Sequence, residues 1–299
     1  MSNKYRTKPR APELKKYQKA LLEALIAGDE TRATELIDDS ISKRWAPTTI
    51  YLSLVAHSMT EIGALWHRDE LNISTEHRAT QIAFRLLARV KNSYHDGTKT
   101  GLKAIVTGVA GDTHLVGALM FADLLRFDGW DVDFLGTDTP SDAILEMVQS
   151  DDPNLLCLSV TLPDQVGVAA ETAKIVKNAV PSTRIIVGGG AINHNGSRNS
   201  LEFADYVTSD PITALKWISE KFDLGISSKT FEAMLTDLGG RIQHFRKEKG
   251  LSQQQLATAS KLDRSYVSAV EHGKQNVSFA TLKNLSDALD VNIVELVDN

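Results

Sequence analysis

The 299-residue chain is poor in several things that would decide its class at once. It has one cysteine, Cys157, in the apolar run LLCLSVT. A lone cysteine excludes an intrachain disulfide framework and fits a reducing compartment; the side chain reads as a small buried hydrophobe. No apolar run is long enough to cross a bilayer. The N-terminal MSNKYRTKPR is basic but has no apolar segment behind it, so no secretory signal is expected, and the expected location is the cytoplasm. Aromatics make up only 6% of the chain, and there are 8 prolines. Neither charge dominates: 33 basic side chains oppose 38 acidic ones, for a net charge of −5. That excludes wholesale coating of nucleic acid and leaves room for a local basic face.

What is present changes character twice along the chain. Residues 1–12 are polar with Pro9 and Pro12 and read as a disordered arm. Residues 13–100 show helical periodicity and no strand-like alternation. Gly28 suits a C-cap, Asp29 an N-cap, Pro47 a first helical turn and Ser74 a further N-cap, which gives a four-helix bundle. Residues 101–222 alternate. LKAIVTGVA, DVDFLG, LLCLSVT, RIIVGGG and YVTSD read as strands with helical stretches between them. This pattern predicts a flavodoxin-like doubly wound parallel sheet, whose ligand site lies beyond the carboxyl ends of the strands. Residues 223–235 read as a linker, and 236–299 as a small all-helical unit. The expected fold class is therefore multidomain α and α/β: bundle, parallel sheet, then a five-helix unit.

The strand ends carry the chemistry. Asp112-Thr113-His114-Leu115-Val116-Gly117 follows the first strand; after 41 intervening residues Ser159-Val160-Thr161 ends the third; after a further 26 intervening residues Gly188-Gly189-Gly190 ends the fourth. Singly these are a loop histidine, strand-end hydroxyls and a glycine turn. Together, in this order and spacing, they resemble the cobalamin-binding family in which a histidine replaces the cofactor's own lower base. The resemblance implies that His114 is the lower cobalt ligand, with Asp112 accepting from its other ring nitrogen. It implies that Gly117 admits the displaced nucleotide tail, that Ser159 and Thr161 offer it hydroxyls, and that Gly188, Gly189 and Gly190 leave it room.

The helical segment ahead of this domain resembles the cap module beside such domains in methionine synthase and in cobalamin-dependent regulators. Trp66, nine intervening residues, then Glu76-His77 is similar to the pattern of CarH-like light-sensing regulators that bind adenosylcobalamin. Trp66 would lie against the group on the upper face, Glu76 would accept from its ribose or amine, and His77 would approach cobalt once that group left. Read without the neighbouring domain, the same three are a core tryptophan, a first-turn acid matched to the helix dipole and an exposed histidine. His57, on the preceding helix, reads as packing or surface.

The last segment contains GLSQQQLA, the turn ASKLD, RSYVSAVEHGK and LSDALDV. It resembles the Cro/repressor-like, XRE-type helix-turn-helix family, which implies double-stranded operator DNA as partner. Ser252 with Gln255 forms a capping box, and Asp263 stands before the reading helix. Val267 and Val270 face inward, which leaves Arg264, Ser265, Tyr266, Ser268 and Ala269 toward a major groove. Gln253 is expected at a phosphate or base edge, and Lys274, Gln275 and Asn276 at phosphate. From 241 to 274 seven basic residues face three acidic, a net +4; from 275 to 299 one lysine faces four acids, a net −3. The basic side thus coincides with the reading helices.

These readings combine into a regulator, not an enzyme. A cobalamin mutase needs a separate barrel of about 250 residues, for which there is no segment. A corrinoid methyl carrier would use residues 1–222 alone and gains little from a DNA reader. The expected cofactor is adenosylcobalamin, with methylcobalamin or another tetrapyrrole as alternatives. The expected switch is photolysis changing the oligomeric state, a dimer or tetramer, or the arrangement of the helix-turn-helix domains, and the alternative is a sensor of cobalamin indifferent to light. The related regulators usually carry a MerR-type reader at the other terminus, so the direction of switching stays open.

Overall fold

The computed structural model describes residues 9–193, 200–224 and 231–297. The expected arm falls mostly, and the expected linker partly, outside these residues. The chain forms two compact units, Met1–Ile218 and Ser219–Asn299.

The first unit opens with the helical bundle: α1 (Ala11–Ala27), α2 (Glu30–Ser42), α3 (His57–His67) and α4 (Ile73–Ser93). Ala11 and Pro12 belong to α1, not to an arm, because the fixed φ of proline suits a first helical turn. Gly28 closes α1 in the left-handed region, and the Asp29 carboxylate accepts the Arg32 amide at 2.9 Å to start α2. The start of α4 differs from expectation. Asn72, not Ser74, is the cap: its side-chain oxygen accepts the Thr75 amide at 2.8 Å, and Ser74 Oγ donates to the same oxygen. Asn72 alone has the extended backbone that a cap needs. The third helix also departs from plain α winding. Thr49–Ala56 winds as a π segment and runs straight into α3. Such segments are rare and concentrate at functional sites. Leu21, Leu25, Ile37, Trp45, Tyr51 and Ile62 fill the interior and are almost wholly buried.

Next comes a five-stranded parallel sheet in the order β2-β1-β3-β4-β5. The strands are β1 (Lys103–Val109), β2 (Asp131–Thr139), β3 (Leu155–Ser159), β4 (Arg184–Gly188) and β5 (Tyr206–Thr208). Helices α5 (Leu115–Phe127), α6 (Ser141–Asp151), α7 (Val166–Ala179) and α8 (Pro211–Lys221) cover its faces. This is the flavodoxin-like order. The chain leaves β1 in one direction to reach β2 and in the other to reach β3, so a crevice opens beyond the carboxyl ends of β1 and β3. Register sets what lines it. Gly108 pairs with Ser159, and Ser159 with Gly188, so three strand-end residues stand level.

One buried polar contact joins bundle to sheet domain. The Tyr51 hydroxyl lies 3.0 Å from Asp123 Oδ2 and 3.2 Å from the Leu87 carbonyl, while Arg126 donates to Asp123 Oδ1 at 2.9 Å. A carboxylate this deep in an apolar helix needs such partners, because burial without them costs several kcal/mol.

The second unit is helical: α9 (Phe231–Glu248), α10 (Gln253–Ser260), α11 (Arg264–Glu271), α12 (Phe279–Leu289) and α13 (Ile293–Val297). Because α9 starts at Phe231, it takes the last five residues of the expected linker. Ile242, Leu256, Ala257, Val267, Val270, Leu282, Leu285, Leu289 and Leu296 make one core.

Candidate functional site

The loop after β1 is built around one buried carboxylate. Asp112 is 1% exposed. Its Oδ1 accepts the His114 backbone amide at 3.0 Å and pairs with His114 Nδ1 at 2.9 Å; its Oδ2 accepts the Thr161 amide at the end of β3. Burial pushes this carboxyl up, but the donors from His114 and Thr161 outweigh it and hold the group below the usual range. The His114 imidazole is raised from its ordinary value, first by the bond to Asp112, against burial, with the charges of Asp112 and Glu76 adding to it. With Nδ1 occupied, the neutral tautomer carries its proton there and leaves the Nε2 lone pair free. His114 is also the residue before α5, with extended backbone, so the imidazole stands at a helix mouth, half exposed, in a cleft wall.

That cleft has a volume of about 920 Å³ and runs between the bundle and the carboxyl ends of the strands. Its lower part is lined by Thr113, His114, Leu115, Val116, Gly117, Ser159, Thr161 and Gly188–Gly190, with Val106, Cys157, Ile186, Thr208 and Ala214. Its upper wall is Trp66, Ile73, Glu76 and His77, with Leu52 and Ala56 from the π segment. Every expected cofactor-site residue except Asp112 lines this one space, and Asp112 holds the residue that does. The Glu76 carboxylate accepts from Thr80 Oγ1 at 2.8 Å, and its other oxygen lies 3.7 Å from His77 Nε2. His57 is exposed and does not line the cleft.

Two polar residues that line the cleft, His67 and Cys157, lie outside the expected set of cofactor-site residues. His67 closes α3 and lines the same wall, with its ring 4.7 Å from that of Trp66. The signal was its place next to Trp66 in the last turn of the helix. Cys157 was read only as core; it is buried, and burial pushes its thiol far up, but it also borders the deep part of the cleft.

The chain's residues fit a corrinoid. A free imidazole nitrogen backed by a carboxylate is the donor set expected of a cobalt ligand. A Cβ at Gly117 would meet nothing within 4 Å and would stand in the cleft, so glycine keeps that space open. Gly189 has φ +118°, and a Cβ there would fall 2.3 Å from the Val160 carbonyl oxygen; only glycine lets β3 and β4 close on one another at this edge.

The second unit presents a different surface. Ser252 and Gln255 exchange both capping-box bonds, at 3.2 and 2.8 Å. Asp263 is the residue before α11 but makes no side-chain cap bond. Arg264, Ser265, Lys274 and Asn276 are exposed; Tyr266, Ser268, Ala269 and Gln275 are half-buried, and the Tyr266 hydroxyl donates to the Asn276 carbonyl at 3.1 Å. Gln253, expected at a phosphate or base edge, stands at the start of α10. Its amide donates at 2.9 Å to Glu271, which also holds Arg246 through two bonds of 2.5 and 3.0 Å.

Comparison with known proteins agrees with this layout. Residues 17–91 and 102–210 each match a B12 binding domain, and residues 242–296 match the helix-turn-helix family. The control protein C.MunI of Mycoplasma sp is 42% identical over 59 residues, 19% of this chain and 80% of that protein. The chain belongs to the helix-turn-helix family, joined to B12-binding domains. The regulator SinR of Bacillus subtilis (strain 168) is 40% identical to this helix-turn-helix domain over 62 residues, 56% of its length. The fold of the B12-binding part is that of the monomethylamine corrinoid protein of Methanosarcina barkeri, with TM-score 0.60 and 16% identity over 69% of this chain and 99% of that one. Cap, cobalamin domain and DNA-binding domain together make a cobalamin-binding transcriptional regulator. Among the described residues, no helix is long and apolar enough to cross a membrane.

Proposed function

We propose that this regulator binds adenosylcobalamin in the cleft, with His114 as the lower cobalt ligand, and that light is its input. The observation that carries the reading is the convergence of His114, backed by Asp112, with Trp66, Glu76 and His77 on opposite walls of one cleft. When bound, the cofactor supplies a photolabile cobalt–carbon bond. Everything else is done by the chain. Asp112 fixes the His114 ring and its tautomer. Trp66 packs against the upper group, and Glu76 accepts its hydrogen bonds. Trp66, and the bundle that carries it, would be free to shift if that group were lost. His77, or His67 beside Trp66, would then be the side chain able to occupy the space that group leaves. The bundle's two arrangements bind the cofactor with different free energy, and that difference is what reaches the DNA-binding domain.

The output is operator binding by paired helix-turn-helix domains, with Arg264, Ser265, Tyr266 and Ser268 toward bases and Lys274 and Asn276 toward phosphate. Gln253 joins them if its amide leaves Glu271. Self-association as a dimer or tetramer raises the effective concentration of the second reader once the first is bound. The protein turns over no substrate in this reading.

Absorption spectra and gel shifts of the full chain with adenosylcobalamin, before and after green light, test it. Spectral change with altered DNA mobility is expected. Complete photolysis with unchanged DNA affinity and oligomer size would reject the light switch and leave a cobalamin sensor. A gel shift with methylcobalamin against adenosylcobalamin tests the preference assigned to Trp66 and Glu76.

A further inference from the structure

The end of β2 is irregular in a way that sheet formation alone does not require. Up to Val106 and Phe134, β1 and β2 pair residue for residue; then Thr107 pairs with Gly136 and Val109 with Thr139, two register shifts in four residues. Gly136 and Asp138 both have positive φ, +88° and +56°. Aspartate tolerates that region better than most residues, but it is still the costlier choice beside glycine. Bulges of this kind re-aim side chains near sites. Here the re-aimed residue is Asp138, and it turns back across the sheet edge. Its Oδ1 accepts the Gly111 amide at 2.7 Å, and its own amide donates to the Asp112 carbonyl at 2.9 Å. Gly111 is itself at φ +81°.

The loop that carries His114 is thus gripped from both neighbouring strands. From β3, the Thr161 amide holds the Asp112 carboxylate. From β2, Asp138 holds the backbone on either side of the Gly111–Asp112 peptide. We propose that Asp138 is a positioning residue: through Gly111 and Asp112 it fixes where the His114 imidazole stands, and so sets how completely that imidazole ligates cobalt. This rests on the cobalamin reading. Asp138 touches no reacting atom, and it does not line the cleft.

Three substitutions separate its two features. Asp138→Asn keeps an acceptor and tolerates positive φ. Asp138→Gly keeps the backbone freedom and loses the acceptor. Asp138→Ala loses both. In the cofactor-free full chain, amide exchange at Gly111 should be roughly tenfold faster in the glycine and alanine variants and near wild type in the asparagine variant. In the protein loaded with cob(II)alamin, the nitrogen splitting that reports imidazole on cobalt should be partly lost in the same two variants and restored by asparagine, with cobalamin Kd raised about tenfold. Wild-type protein without that splitting would overturn the cobalamin reading, while the exchange arm would still test the clamp. Asp138→Gly with wild-type Gly111 exchange, or with full imidazole ligation and unchanged Kd, would overturn the assignment. So would an equal loss of thermal stability in all three variants with imidazole ligation intact, because that is what a purely structural residue gives.

Discussion

At the scale of the residue, two buried carboxylates carry testable weight. Asp112 accepts one ring N–H and two backbone amides, and the donors need its charge. Asp112→Asn keeps the shape but presents an N–H where an acceptor is required, so cobalamin affinity should fall about 10–100-fold, read by titration calorimetry. Glu271 is the other. Burial raises its carboxyl, but bonds from Arg246 and Gln253 outweigh that and hold it below its ordinary value. The unfolded chain then takes up this proton at a higher pH than the folded one. The stabilisation is complete above the ordinary glutamate range near pH 4.3 and is lost as pH falls through the lowered folded value. Thermal melts of the full chain should show the helix-turn-helix unit losing stability below about pH 5, and Glu271→Gln should flatten that profile. The same variant leaves Arg246 buried and half-satisfied, which should cost about 3–5 kcal/mol at neutral pH.

At the scale of the element, the proposed DNA contacts divide between α11 and the turn after it. Arg264 stands exposed in the first turn of α11, where a recognition helix meets base edges. Arg264→Ala should weaken operator binding by about 1–3 kcal/mol and relax preference at one base position, measured by competition gel shift with mutated operators. Lys274→Ala should weaken binding evenly across sequences and reduce the salt slope by about 1. If both variants lose affinity equally on operator and random DNA, α11 is not the reading helix. Elements also show where a single sequence stops being legible. The strands, their order and the capping box depend on local pattern and were readable. The π segment was not: TIYLSLVA has the composition of an α-helix, and within the folded segment Tyr51 meets Asp123 while Leu52 and Ala56 line the cleft. The cap of α4 was misplaced by two residues because Asn72 and Ser74 have similar cap preference and only the path of the chain chooses between them.

At the scale of the whole molecule, the prediction concerns assembly. If the bundle's arrangement controls pairing, sedimentation of the adenosylcobalamin-loaded full chain should change on illumination, and His114→Ala should remove that change. A substitution at His77 or His67 should alter only the illuminated form. A dark-state binding defect in either would contradict the role given to it and point instead to packing on the upper wall.

The sequence by itself determined the order of bundle, parallel sheet and helix-turn-helix unit and the strand-end motifs of the cleft, because motifs at fixed spacing are local features that any sheet of this order brings together. Only the tertiary structure decided which groups answer one another across it. Gln253 turned to Glu271, Tyr51 joined to Asp123 and Asp138 folded back on Gly111 are contacts between elements distant in sequence. The contacts to Glu271 and Asp123 form because a buried carboxylate must find partners wherever the packing places them.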